Sequence, residues 1–284
     1  MTETRDLAPG LYLVATPIGN LEDITLRAIR VLKQADLIAC EDTRQTLKLL
    51  NHYGIETRTV SYHQHNEASR AAELVEKLAL GARIAVVSDA GMPGVSDPGF
   101  RLVSLAIERG VPVVTVPGPA AFVAALVASG LSVESFSFRG FLPPKSGARR
   151  RELGKIRNSS ITEIFYETPH RIREALEDVA EVLGSEKPVV VARELTKIHE
   201  EFLRGTAGQV LETVKNRGEG KGEIVLLLGP AVEGPTQAPA VSIPDRVEQI
   251  MCEEKLDEKA ALKKVAKERG ISKSEAYREL QLHK

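Results

Sequence analysis

The sequence predicts an α/β fold built on a mostly parallel sheet, followed by a mixed α/β half and a helical tail. Three observations carry this. Short apolar runs at residues 11–15, 35–40, 84–87 and 111–116 alternate with helical patterns, the repetition that sets helices on both faces of a parallel sheet. Three of these runs end in loops crowded with Gly and Pro, at 16–20, 88–99 and 117–121, so the loops should open on one edge of the sheet. An apolar content of 43% over 284 residues is ample for two cores.

The first run reads as a strand, and Thr16-Pro17-Ile18-Gly19-Asn20 as the turn after it. Leu26, Ile29, Val31 and Leu32 space one buried helix face. Gly19 is the only glycine of that turn, so the GxGxxG fingerprint of a dinucleotide site is missing. A strand over 35–40 carries Glu41-Asp42-Thr43-Arg44 at its tip, and the helix through Leu47, Leu49 and Leu50 stops at Gly54. His63 and His65 stand at a strand end with no third ligand in view, which favours polar cleft lining or plain surface over a metal site.

A helix over 68–80 and a central strand over 84–87 lead into Ser-Asp-Ala-Gly-Met-Pro-Gly-Val-Ser-Asp-Pro-Gly at 88–99. Its three glycines and two prolines exclude a helix or a strand interior. It is either an ordinary strand-to-helix connection or a ligand loop, and its length and two Ser-Asp pairs favour the ligand loop. A strand at 111–116, the tight loop Pro117-Gly118-Pro119-Ala120-Ala121 and a helix over 122–128 follow. That helix is apolar all round and is therefore expected to be central and buried.

Residues 136–139 read as a last strand of a first domain spanning 1–140, and 140–144 as the link into a second spanning 141–232. Lys145, Arg149, Arg150, Arg151, Lys155 and Arg157 then cluster around a helix start. The pattern suits phosphate and equally describes a solvated helix face. A strand over 161–166 has Glu-Thr-Pro-His-Arg (167–171) at its tip, and one over 189–192 has Arg-Glu-Leu-Thr-Lys (193–197), with a helix over 172–183 between them. Residues 200–204 pair back antiparallel, a helix covers 206–216, and 224–228 form a final apolar strand. Residues 229–244 read as a linker. In the tail domain, 245–284, a helix over 260–268 and a capping box, Ser272-Lys273-Ser274-Glu275, opening a helix over 276–282 outline a helix-turn-helix. Its mixed charges suit RNA docking or packing better than reading DNA.

A formal net charge of −1 excludes a generally basic surface, so any nucleic-acid contact must come from a local patch. Cys40 and Cys252 are too isolated for a zinc site or a disulfide framework, and a reducing, cytoplasmic setting is expected. Residues 1–10 lack the apolar stretch of a secretory signal. The uncharged run 111–133 is interrupted by Pro112, Pro117, Gly118 and Pro119, so no membrane association is expected.

Taken together, Val-Ala-Thr-Pro-Ile-Gly-Asn-Leu-Glu-Asp-Ile-Thr (14–25), Cys-Glu-Asp-Thr-Arg (40–44), the stretch 88–99, Pro-Gly-Pro-Ala-Ala (117–121), Gly-Phe-Leu-Pro (140–143), Glu-Thr-Pro-His-Arg (167–171) and Arg-Glu-Leu-Thr-Lys (193–197) resemble the bacterial RsmI family. These are the ribosomal RNA small subunit methyltransferases I, a branch of the tetrapyrrole methylase fold. The resemblance implies a class III methyltransferase fold of two α/β domains, S-adenosylmethionine (S-adenosyl-L-methionine) in the cleft between them, a helix-turn-helix-like tail and a homodimer. It also implies methylation of the ribose 2′-hydroxyl of one decoding-region cytidine in 16S rRNA, with the 30S subunit as the setting. Tetrapyrrole-modifying relatives carry a GxGxGD turn after the first strand, and its absence at 16–20 argues against the porphyrin and corrin branch.

Carried over residue by residue, the cofactor pocket draws on Pro17 and Ile18, on Asp89, Ala90, Gly91 and Met92, on Pro119 and Ala120, and on Thr168, Leu195, Gly222, Glu223 and Ile224. Methyl transfer from a sulfonium needs no metal, but a ribose hydroxyl is a poor nucleophile until its proton leaves, so a general base is required. Position at strand tips nominates Glu167 or Glu194 as that base, Lys197 or Arg193 to hold an RNA phosphate or lower the hydroxyl's proton affinity, and His170 beside them. RNA contacts are expected from Lys145, Arg149, Arg150, Arg151 and Lys155. The rival readings are a same-fold methyltransferase acting on a small molecule or protein side chain, and a non-catalytic RNA-binding protein. Ser96 and Asp97 either fix their loop or face RNA.

Overall fold

The computed structural model describes residues 6–95, 99–217, 222–231, 243–268 and 276–278. The chain forms two compact units, Met1–Val232 and Glu233–Lys284. The larger unit contains two five-stranded sheets.

The first sheet is wholly parallel, in the order β3-β2-β4-β1-β5. Its strands are β1 (Gly10–Val14), β2 (Leu37–Cys40), β3 (Thr59–Ser61), β4 (Arg83–Val87) and β5 (Val113–Val116). The two-residue period of a strand divides their side chains between two cores. Tyr12, Val14, Ile38, Cys40, Ala85 and Val87 meet α1 (Leu26–Gln34) and α2 (Thr43–His52) on one face. Leu11, Leu37, Ala39, Ile84 and Val86 meet α3 (Glu67–Ala79) and α4 (Phe100–Glu108) on the other. With helices on both faces, the strands read as continuous apolar runs. Helix α1 starts where the Thr25 hydroxyl accepts the Ala28 N–H at 3.0 Å, an N-cap that ties up one of the helix's orphan donors. Leu26, expected on the buried face, is exposed at the helix start, and Ala28, Val31 and Leu32 form that face instead.

The second sheet has the order β6-β7-β10-β8-β9, with only β6 and β7 parallel. Its strands are β6 (Phe136–Phe141), β7 (Thr162–Glu167), β8 (Pro188–Arg193), β9 (Glu201–Thr206) and β10 (Ile224–Leu228). Strand β6, read from sequence as the end of the first half, pairs with β7 in this sheet. Helices α6 (Ser146–Lys155), α7 (Ile172–Leu183) and α8 (Ala207–Arg217) cover one face. Helix α5 (Ala121–Ser129), which follows the last strand of the first sheet, packs on the other through Ala125 and Leu126 against Ile164, Val190, Ala192, Val225 and Leu227. This helix is not buried all round: Val123 and Val127 are exposed, because only one side of it meets the sheet.

The basic stretch on α6 is largely an internal ion-pair network. Arg149 is 1% exposed, and its Nε lies 2.6 Å from Asp178 Oδ2 on α7. Arg150 pairs with Asp178 and Glu181, both at 2.6 Å, and Lys155 with Glu152 at 2.6 Å. Arg149 was expected on an RNA-facing surface; burial commits its guanidinium to the core. Lys145, Arg151 and Arg157 are exposed and carry no ion pair among the described residues.

The smaller unit holds α9 (Ile243–Glu254) and α10 (Glu258–Glu268), packed through Ile243, Val247, Ile250, Leu262 and Val265. The Asp257 carboxylate accepts the Ala260 N–H at 2.7 Å and caps α10. Pro244, read as linker, lies in the first turn of α9, where its missing N–H costs no hydrogen bond. Residues 276–278 are helical. The capping box at 272–275 and the remainder of the last helix fall outside the described residues, as do Ser96 and Asp97. Among the described residues no helix is long and apolar enough to cross a membrane.

Candidate active site

The strand order of the first sheet reverses around β4, β1 and β5, and the loops after these strands share one edge, the place where open α/β sheets take ligands. The loops after β1 and β4 are stitched to each other. The Thr16 N–H donates to the Gly91 carbonyl at 2.9 Å and the Gly91 N–H donates back to Thr16 at 3.1 Å. The Thr16 hydroxyl donates to the Ser88 carbonyl at 3.1 Å, and the Asp89 carboxylate accepts the Asp42 N–H at 3.1 Å, tying the tips of β2 and β4. Gly91 has φ +82°, and a Cβ there would lie 3.3 Å from Ile18, so only glycine suits this bridge without strain.

Facing these loops are the tips of the second sheet, and between the two lies a cavity of about 230 Å³. From the first sheet's side it is lined by Ile18, Ala90, Gly91, Met92 and Val95, and from the α5 start by Ala120, Ala121 and Phe122. The opposite wall comes from Phe141, Tyr166, Glu167, Thr168, Leu195 and the stretch 222–225. The structure thus brings together Ile18, Ala90, Gly91, Met92, Ala120, Thr168, Leu195, Gly222, Glu223 and Ile224 of the residues nominated from sequence. Pro17, Asp89 and Pro119 do not line the cavity. Asp89 instead braces the tip of β2, and the Pro119 carbonyl lies 3.5 Å from where a Gly91 Cβ would stand. Val95, Ala121, Phe122, Phe141, Tyr166 and Val225 escaped the sequence reading; Phe141 and Tyr166 sit on adjacent strands, a pairing visible only once β6 joins β7.

The two sides touch at Gly19. A Cβ on this residue would stand 2.8 Å from the Leu195 carbonyl and 2.9 Å from Thr196 Oγ1. The loop it meets is strained: Glu194 has φ 52° and Thr196 φ 64°, conformations that cost non-glycine residues about 1–3 kcal/mol each and cluster at functional sites.

Among the nominated catalytic groups, Glu167 alone lines this cavity. It ends β7 with its side chain wholly buried, accepting the Thr168 N–H at 2.8 Å and an Arg171 N–H at 2.8 Å. Burial raises its pKa above the ordinary carboxylate value; the Thr168 N–H and the Arg171 charge offset only part of that. Glu194 is different: burial opposes its charge, but Lys197 at 2.7 Å and the Glu223 N–H at 3.1 Å outweigh it and hold its pKa low. Lys197 is shared between Glu194 and Glu223. Arg193 lies on the β8 face that carries Val189 and Val191, toward α7 and α8, where it pairs with Glu201 at 3.2 Å. His170 also lies on that side of the sheet, in a second cavity distinct from the one above. At the β3 tip, the His63 and His65 rings lie 5.8 Å apart, and no cluster of three metal-ligating side chains occurs among the described residues.

The family model for tetrapyrrole (corrin/porphyrin) methylases matches residues 10–211. The ribosomal RNA small subunit methyltransferase I of Halalkalibacterium halodurans is 48% identical over 280 residues, covering 97% of this chain and 96% of that protein. The protein of the same name from Vibrio cholerae is 50% identical over 249 residues, 86% and 85% of the two chains. Among solved structures, a cobalt precorrin-4 methyltransferase of cobalamin biosynthesis aligns with a TM-score of 0.56 at 17% identity, covering 77% of this chain and 94% of that one; at that identity the likeness speaks to fold. With a family model over residues 10–211 and relatives at 48–50% identity over most of its length, the chain belongs to the ribosomal RNA small subunit methyltransferase I family of the tetrapyrrole methylases.

Proposed function

We propose that this chain methylates the 2′-hydroxyl of one decoding-region cytidine of 16S rRNA, using S-adenosylmethionine bound in the cavity between the two sheets. The observation that carries the reading is that cavity, with the family's relatives supplying the substrate class. Its residues fit the cofactor. Met92, Val95, Phe122, Phe141, Tyr166 and Leu195 offer apolar and aromatic surface. Helix α5 begins at Ala120 with no side-chain cap, so its first-turn N–H groups are open to a carboxylate. Bound there, S-adenosylmethionine supplies a methyl group on a positively charged sulfur.

The residues of the chain then have two tasks. One is to hold the ribose oxygen in line with the methyl group, since positioning contributes about 7–11 kcal/mol in well-oriented reactions. The other is to take the hydroxyl proton. Glu167 is the candidate for the second: its residue borders the cavity and its raised pKa makes it a better proton acceptor than an ordinary carboxylate. Its fully buried carboxylate is held by the Thr168 N–H and Arg171 on the α7 side of β7 and must turn toward the cavity to act. Glu194 and Lys197, locked to each other and to Glu223, hold the strained wall in shape. The exposed Lys145 and Arg151 supply RNA phosphate contacts, with the 30S subunit as the form in which the RNA is met. A homodimer and a cytoplasmic setting complete the reading.

Labelled S-adenosylmethionine incubated with the protein and 30S subunits should place label in 16S rRNA, at a site resistant to alkali because a methylated 2′-oxygen cannot attack its phosphodiester. Label in protein or a small molecule, or none bound at all, would replace this reading by one of its rivals. Gly19→Ala should separate the loops at 16–20 and 193–197 and weaken cofactor binding by about 1–3 kcal/mol, measured by calorimetry. Gly147→Ala, with open space around its Cβ, is the neutral control.

A further inference from the structure

A second cavity, of about 550 Å³, lies on the α7 and α8 face of the second sheet, at the same strand ends as the first. Its floor is apolar, from Ile172, Val191, Leu203, Val214 and Ile224. Above the floor stand two carboxylates, each shared by two cations. Glu201 takes Arg193 at 3.2 Å and also Arg217. Glu177 takes Lys215 at 3.0 Å and Arg173 at 3.4 Å. Each of these bridges carries one positive charge beyond neutrality. The third lining carboxylate, Glu174, has its Oε2 3.6 Å from an Nη of the buried Arg149. An apolar floor beneath two singly positive bridges suits a nucleobase with a phosphate on either side of it.

The two cavities are neighbours along the chain. Thr168 lines the first, while Pro169 and His170 line the second; Ile224 borders both; Glu194 braces the first and Arg193 the second. A strand of RNA laid across residues 168–170 would present one nucleotide to each. We propose that the second cavity binds a nucleotide flanking the one that is methylated, with its phosphates on the Arg173–Glu177–Lys215 and Arg193–Glu201–Arg217 bridges. This rests on the rRNA reading above. It adds α7, α8 and β9 to the exposed Lys145 and Arg151 as sources of RNA backbone contacts.

Arg173→Glu and Lys215→Glu test it, since neither residue borders the first cavity. Each should raise KM for 30S subunits at least tenfold, leave cofactor affinity and kcat at saturating RNA unchanged, and lower the slope of log affinity against log salt by about one. Arg173→Lys and Lys215→Arg should retain RNA binding, which separates lost charge from misfolding. KM and salt slope unchanged in both glutamate variants would reduce the bridges to surface ion pairs and overturn the proposal. Cytidine monophosphate that binds in a variant-sensitive manner while KM for 30S subunits stays unchanged would make the site one for a free nucleotide and overturn the RNA assignment. A wild-type protein that methylates no rRNA removes the underlying reading, and the proposal with it.

Discussion

Asp178→Ala should destabilise the protein by about 3–5 kcal/mol, the usual cost of removing one partner from a buried ion pair. Asp178 is 3% exposed and accepts from Arg149, Arg150 and the Ser146 hydroxyl. Its loss leaves Arg149 charged and 1% exposed, with its closest partner gone and Glu174 at 3.6 Å and the Pro144 carbonyl at 3.3 Å remaining. Urea unfolding measures the difference. The pH dependence has a definite sign. Burial works against the Asp178 charge, but the hydrogen bonds from Arg150, Arg149 and Ser146 outweigh it, so its pKa is lowered in the folded chain. The corresponding stability is fully present above the ordinary aspartate pKa and is lost as pH falls through the lowered folded value. The variant should lack that acid-side loss. An unfolding midpoint within experimental error of wild type would show that the network contributes nothing.

Glu167→Gln should lower kcat about 100- to 10,000-fold, the range for loss of a general base, while cofactor affinity changes by a few-fold at most. The amide keeps the shape and an acceptor for the Thr168 N–H but cannot take a proton. Because burial raises the Glu167 pKa, the acid limb of the wild-type kcat profile should lie above the ordinary glutamate range, with activity falling as pH drops through it. Glu194→Gln, by contrast, should act through the wall it braces and shift cofactor affinity more than kcat. Methyl transfer near the wild-type rate in Glu167→Gln would remove this residue from the chemistry.

Much of the fold was legible in the sequence because its signals are local. Apolar runs closed by Gly and Pro locate β1, β4 and β5, and α7 and β10 coincide with the residues read as 172–183 and 224–228. What was not legible depends on partners distant in sequence. The alternation of residues 136–139 marks a strand but not which sheet receives it, and β7 claims it. Six clustered cations look like a surface until Asp178, 29 residues from Arg149, is brought against them. Arg193 and Glu194 are adjacent in sequence yet serve different faces, because β8 ends at Arg193 and the chain turns at Glu194 with φ 52°. The cavity lining followed the same rule: loops with unusual glycines stood out, whereas Phe122, Phe141 and Tyr166 looked like ordinary core aromatics.

The position of β10 carries a further consequence, for the order in which the molecule is made. Among the described residues it is the last strand synthesised, and it is the middle strand of its sheet, between β7 and β8. The first sheet has all its strands once residue 116 has been added, but until residue 228 follows, β7 and β8 share no neighbour. Over that interval of synthesis α5 lacks Val225 and Leu227 from the surface it packs on, and its apolar side chains must be shielded by transient contacts or a chaperone. A message truncated between residues 117 and 223 would leave every strand of the first sheet but no β10 to join β7 to β8.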